Sequence, residues 1–234
     1  MDLLLDSLKS AFLLLLAWDP ELLDIVEVSL KVSIISTLLA SLLGVPCGFL
    51  IAYSSFYGKR LVLTCLNTLL ALPTVVIGLL VYSFISRRGM FGSFELLYTQ
   101  KAIIIGQVIL IIPLITSLTI SAISRIDNRY RKTALTLGAT QLQMAWMILQ
   151  EARYGIGAAV IAAFGRVIAE VGISMMLGGN ARGFTRTMTT AMALEYDKGE
   201  FVLAVALGLT LMAIAFAINM LFQYFQGRTK VDAV

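Results

Sequence analysis

Histidine is absent from this chain of 234 residues, and the charged residues Asp, Glu, Lys and Arg make up only 14% of it. Without an imidazole there is no Ser-His-Asp or Cys-His catalysis, no histidine-ligated zinc or haem and no imidazole proton relay. Cysteine is nearly absent too. Cys47 and Cys65 lie in apolar stretches with no CxxC pattern, so they are expected to be buried fillers and not a disulfide framework or a thiolate metal site. A phosphate loop of the form GxxxxGK[ST] is also missing: the nearest string, Gly58-Lys59-Arg60, lacks the first glycine spacing and the hydroxyl residue. What fills the chain is apolar. Hydrophobic residues make up 59% and the mean hydropathy is +0.91, whereas a soluble domain carries roughly 25% charged and 45–50% apolar residues. The composition is that of a membrane protein.

Crossing about 30 Å of hydrocarbon takes about 20 residues of helix, and the sequence predicts five such transmembrane helices. They run from Val26 to Tyr53, Leu61 to Phe84, Ala102 to Ile123, Ile156 to Leu177 and Phe201 to Phe225. A sixth run, Leu8 to Trp18, is too short to span and is followed by Asp19 and Pro20. It is expected as an N-terminal interfacial helix within residues 1–25, with Trp18 at headgroup depth. A cleaved signal peptide would carry a basic leader where Asp2 and Asp6 stand. The transmembrane domain then covers 26–227, and 228–234 forms a short tail. With the N-terminus outside, the inner segments hold nine basic residues (Lys59, Arg60, Arg125, Arg129, Arg131, Lys132, Arg153, Arg228, Lys230) against three acids. The outer segments hold seven basic residues against ten acids. Five of the inner basic residues fall in one loop, 124–155, so the N-terminus is expected outside and the C-terminus in the cytoplasm of a cell-membrane protein. The net charge of +4 is then mostly topology and does not imply nucleic acid.

Pro46, Pro73 and Pro113 lie inside the first three predicted spans and are expected as kinks, because each deletes a backbone hydrogen bond. Such bends serve either packing or a cavity. Gly44 and Gly48 form a GxxxG pattern, and Ala158, Ala159, Ala162 and Ala163 a small-residue face, both suited to close helix packing. Arg166 and Glu170, four apart and deep in the fourth span, admit two readings: a salt bridge that steadies the bundle, or the border of a hydrated path or gate.

The inner loop 124–155 is amphipathic. Ala134, Leu135, Leu137, Leu142, Met144, Trp146, Ile148 and Leu149 recur among polar residues, and Gly138 interrupts them, so two short helices at a glycine hinge are predicted. This loop resembles that of ABC importer permease subunits, whose pattern is EAA, three residues, Gly, nine residues, Ile, one residue, Leu-Pro. Here it reads Lys132-Thr133-Ala134, Gly138-Ala139 and Ile148, with Lys132 replacing the opening Glu and Gln150-Glu151 replacing Leu-Pro. A second stretch is similar to the oxyanion branch of that family, the importers of tungstate, molybdate and sulfate. It comprises Phe164-Gly165-Arg166-Val167-Ile168-Ala169-Glu170-Val171-Gly172, then Gly178-Gly179-Asn180 and Gly183-Phe184-Thr185-Arg186-Thr187. Ala169 and Val171, together with Leu72-Pro73-Thr74 and Thr189-Thr190-Ala191, are nearest to the tungstate-uptake permeases.

The resemblance implies an all-α, type I ABC importer permease fold and the pore-forming, non-enzymatic half of an oxyanion importer, with tungstate as the cargo. Molybdate or sulfate is the alternative, and an ion-coupled secondary transporter a more remote one. It implies that a second copy of the chain, an ATP-binding subunit and an extracytoplasmic binding protein assemble with it. ATP and magnesium would sit in the partner subunit, with no cofactor in this chain. Thr133, Ala134, Gly138, Ala139 and Ile148 are carried over as coupling residues. Arg166, Glu170, Asn180, Arg182 and Arg186 are expected along the translocation path or its gate.

Overall fold

The computed structural model describes residues 19–231, so the expected interfacial helix from Leu8 to Trp18 lies outside the described residues. Among the described residues there are nine α-helices and one 3-10 turn, Gly92–Phe94, and no strand. We number the helices α1 Pro20–Tyr53, α2 Lys59–Leu70, α3 Thr74–Ile85, α4 Gln100–Ser124, α5 Asn128–Thr136, α6 Gln141–Ile168, α7 Gly172–Gly178, α8 Met188–Lys198 and α9 Phe201–Val231. α1, α4, α6 and α9 are each long and apolar enough to cross a bilayer, and α2 with α3 supplies a fifth crossing bent by 96°.

Asp19 and Pro20 open α1. The Asp19 carboxylate accepts the Glu21 and Leu22 amides at 2.9 and 3.1 Å, and Pro20 takes a first-turn position where no amide is needed. The first crossing therefore begins inside the segment 1–25, earlier than its hydropathy alone suggested. α9 likewise runs through the start of the segment read as a tail, 228–234.

α1 and α4 form the central pair, and the GxxxG pattern is what lets them touch. A Cβ added at Gly48 would lie 2.7 Å from the Thr116 carbonyl, and one at Gly44 3.0 Å from Ile115 Cγ2. Polar bonds lock the same seam, with Ser36 donating to Gln107 Oε1 at 2.8 Å and Thr116 to the Gly44 carbonyl at 3.3 Å. Ala40, Ile111, Ile115, Ala163 and Val167 fill the space where α6 joins them.

Two predicted spans are broken. Leu61 to Phe84 is not one helix with a kink: Pro73 stands outside both α2 and α3, as the N-cap of α3, because it cannot continue a helix begun before it. Pro46 and Pro113 do lie inside helices. The fourth span stops at Ile168 and resumes at Gly172, leaving Ala169, Glu170 and Val171 as a break. The loop 124–155 differs as well. α5 is short, but its successor is no separate helix; α6 runs unbroken from Gln141 in the loop to Ile168. Cys47 and Cys65 are free and exposed on the surface of the single chain, not buried. The five-crossing framework itself stands.

Candidate functional site

The two breaks meet. α3 packs along α7, close enough that a Cβ at Gly78 would lie 2.9 Å from Met176 Sδ and one at Gly172 3.2 Å from Thr74 Oγ1. Beside them the Glu170 carboxylate is buried, 3% exposed, and accepts Arg166 Nη1 at 2.7 Å through Oε2 and the Ile173 amide at 3.3 Å through Oε1. Its backbone carbonyl takes the Thr189 hydroxyl at 2.8 Å. The Glu170 carbonyl and the Ile173 amide, both freed by the break, thus find partners inside the protein, as interrupting a helix at membrane depth requires. Arg166 is different. It is 44% exposed, with a single hydrogen bond.

The connection after α7 folds back on this break. Thr185 closes the turn, donating to the Gly178 carbonyl at 2.6 Å and accepting the Ala181 amide at 3.0 Å. Thr187 caps α8 in a reciprocal pair with Thr190. The Met188 amide donates to Ser29 Oγ at 2.7 Å, which ties α8 to α1. Arg186, only 11% exposed, reaches Glu21 at 3.4 Å and Glu195 at 3.9 Å; Glu195 also pairs with Lys198 at 3.0 Å. The Thr-Arg-Thr string is therefore a buried clasp joining α1, α7 and α8.

The five path candidates divide accordingly. Arg166 and Glu170 form one pair at the break. Arg186 is committed to the clasp, and Asn180, in a left-handed turn at φ 52°, donates to the Thr190 carbonyl at 3.4 Å. Arg182 is 70% exposed and pairs with Glu21 at 2.5 Å. Residue types alone did not single out Glu21, Thr74, Thr189 or Glu195. Thr74 and Thr189 fell within strings quoted for the family resemblance, and Glu195 has Lys198 three residues on as a local signal.

A groove of about 650 Å³ opens between α4 and α6, lined by Arg125, Asp127 and Glu151 at one end and by Ala158 and Ala162 at the other. Below it, Gly138 takes φ +74° between α5 and α6, the conformation expected of the hinge. The coupling candidates fall on both sides of this hinge surface. Ala134 and Ile148 are buried against Ile123, Met144 and Ala152, whereas Thr133 and Gly138 are exposed and Ala139 half-buried. Leu135, Leu137, Leu142 and Trp146 project outward around the hinge and leave a surface that is apolar and uncovered in the single chain.

The solved structures similar to this chain share its architecture. A chain of a bacterial ABC transporter involved in the import of the acidic polysaccharide alginate superposes with a TM-score of 0.75 at 17% identity, over 92% of this chain and 82% of that one. A chain of the MetNI methionine ABC transporter in an inward-facing conformation gives 0.70 at 17%, over 87% and 94%. The fold is that of type I ABC importer permeases, the pore-forming and non-enzymatic class of subunit.

The chain belongs to the family of binding-protein-dependent transport system inner membrane components, which matches residues 44–231. It is 39% identical to a probable anion ABC transporter permease protein of Haloferax volcanii, over 89% of this chain and 92% of the relative. It is 37% identical to the tungstate uptake system permease protein TupB of Peptoclostridium acidaminophilum, over 94% and 96%, and 38% identical to that of Campylobacter jejuni, over 94% and 92%. Molybdenum and sulfate permease proteins match at lower identity, 29% and 24% for Escherichia coli and Salmonella typhimurium. The protein is a multi-pass inner-membrane permease.

Proposed function

We propose that this permease carries an oxyanion, tungstate, into the cytoplasm as half of a two-copy pore. The observation that carries the reading is the 37–38% identity to two tungstate uptake permeases along nearly the whole chain, well above that to the molybdenum and sulfate permeases. The basic loop 124–155 faces the cytoplasm, and the start of α1 lies outside. An ATP-binding subunit docks on the apolar hinge surface around Gly138, with Thr133, Ala134, Ala139 and Ile148 shaping it. ATP and magnesium belong to that subunit, and this chain holds no cofactor. A binding protein delivers the anion at the outer face, where exposed Arg182 stands. Arg166 and Glu170 border the path at the helix break, while Arg186 and Asn180 hold the outer clasp in shape.

The test is reconstitution of the permease with its ATP-binding and binding-protein partners in liposomes. ATP-dependent uptake of labelled tungstate, competed less well by molybdate and sulfate, is expected. Uptake that proceeds without nucleotide, or a permease that retains no ATP-binding subunit after extraction, would overturn the assignment.

A further inference from the structure

We infer that Arg166 is the residue that touches the travelling anion inside the membrane, and that Glu170 is a positioning residue that holds the guanidinium and keeps its grip weak. The inference rests on the oxyanion reading above and narrows it to one side chain.

The exposed faces of the helices differ in kind. Those of α1 and α9 are built from large apolar side chains, Leu38, Leu42 and Leu43 on one and Met212, Phe216 and Met220 on the other, as a lipid-facing surface is. On α6 and just past its end the exposed positions toward the break are Ala162, Gly165, Arg166 and Ala169, which share one helical face by their spacing of three and four. A half-exposed guanidinium at this depth is costly against hydrocarbon and calls for water or a polar partner. The groove between α4 and α6 supplies the route. It begins among Arg125, Asp127 and Glu151 and reaches Ala162, one helical turn before Arg166.

The bonding of the pair fits transit. Arg166 has five N–H donors and spends one on Glu170, so a fork of donors remains to meet a tetrahedral oxyanion. Glu170 cannot follow an anion into the groove, because its second carboxylate oxygen holds the Ile173 amide and its carbonyl holds Thr189. The anion therefore meets a positive group whose charge is already balanced from behind. Binding is correspondingly shallow, as a path that must release its cargo requires.

The experiment is labelled tungstate uptake by the complete reconstituted complex. Replacing both members (Arg166→Gln with Glu170→Gln) removes both charges and leaves an amide pair that can still bond across the break. Uptake is expected to fall at least tenfold while ATP hydrolysis stays within twofold. Glu170→Gln alone leaves the arginine unbalanced, and both KM and maximal uptake are expected to drop several-fold. Wild-type uptake by the double variant, or an unchanged KM in Glu170→Gln, overturns the inference. Should the double variant not assemble, Ala162→Cys in a Cys47→Ala, Cys65→Ala background decides. Reaction with a sulfonate-bearing thiol reagent, slowed by tungstate, supports the anion route, and no reaction with or without ATP overturns it. A wild-type complex that takes up none of tungstate, molybdate and sulfate defeats the cargo reading instead, and this inference falls with it.

Discussion

Arg186 shows how a single side chain can look like a ligand-seeking cation in the sequence and serve as a joint in the structure. Its guanidinium is nearly buried between Glu21, at the start of α1, and Glu195, near the end of α8, and so links segments far apart in the chain. Removing one partner of a buried ion pair strands the other charge, which costs about 3–5 kcal/mol when nothing else compensates. Lys198 still reaches Glu195, so Arg186→Met should cost less, about 2 kcal/mol. Thermal unfolding of the detergent-solubilised protein measures this, and an unchanged midpoint would refute the clasp. Gly48 makes the opposite point, since here the requirement is for no side chain at all. With a Cβ placed 2.7 Å from both the Thr116 carbonyl and Thr119 Cβ, α1 and α4 must separate. Gly48→Val is therefore expected to destabilise by about 1–3 kcal/mol, the usual cost of overpacking, whereas Gly165→Ala, where a Cβ meets nothing within 4 Å, should leave the midpoint unchanged.

At the scale of the helix, the hinge between α5 and α6 is a backbone device. Gly138 sits at φ +74°, yet a Cβ there would meet nothing within 4 Å. Any penalty for substitution is thus conformational, about 1–3 kcal/mol for a β-branched residue held in the left-handed region. Gly138→Val should turn α5 away from α6 and weaken capture of the ATP-binding subunit roughly tenfold. Gly138→Asn, which tolerates that region, should keep most of it, and a pull-down titration separates the two. Equal loss in both variants would mean that small size, not backbone freedom, is what the docking surface needs. This hinge was legible because glycine inside an amphipathic run is a local signal. The break at Glu170 was not. Ala169, Glu170 and Val171 include no proline or glycine, and the Glu170 carbonyl freed there is taken up by Thr189, a partner that exists only once α8 has folded back. Pro73 lies between these cases: the sequence marks an interruption, but whether the chain bends by 20° or by the observed 96° depends on where α3 finds α7 to pack against.

For the molecule as a whole, the five crossings followed from hydropathy, since an apolar run of sufficient length has few other stable places to go. Which end faces the cytoplasm rests on the spread of Lys and Arg, and the structure supplies positions to probe it. Met90, 78% exposed between α3 and α4, and Leu137, 81% exposed beside the hinge, stand in connections that the proposed topology puts on opposite sides of the membrane. In a background with Cys47 and Cys65 replaced by alanine, Met90→Cys should react with a membrane-impermeant thiol reagent applied to intact cells. Leu137→Cys should react only after the cells are opened. The two sites are matched in exposure, so a difference in labelling reports sidedness and not access. The reverse pattern would place the hinge surface outside, where no ATP-binding subunit could reach it, and would remove the basis for coupling altogether.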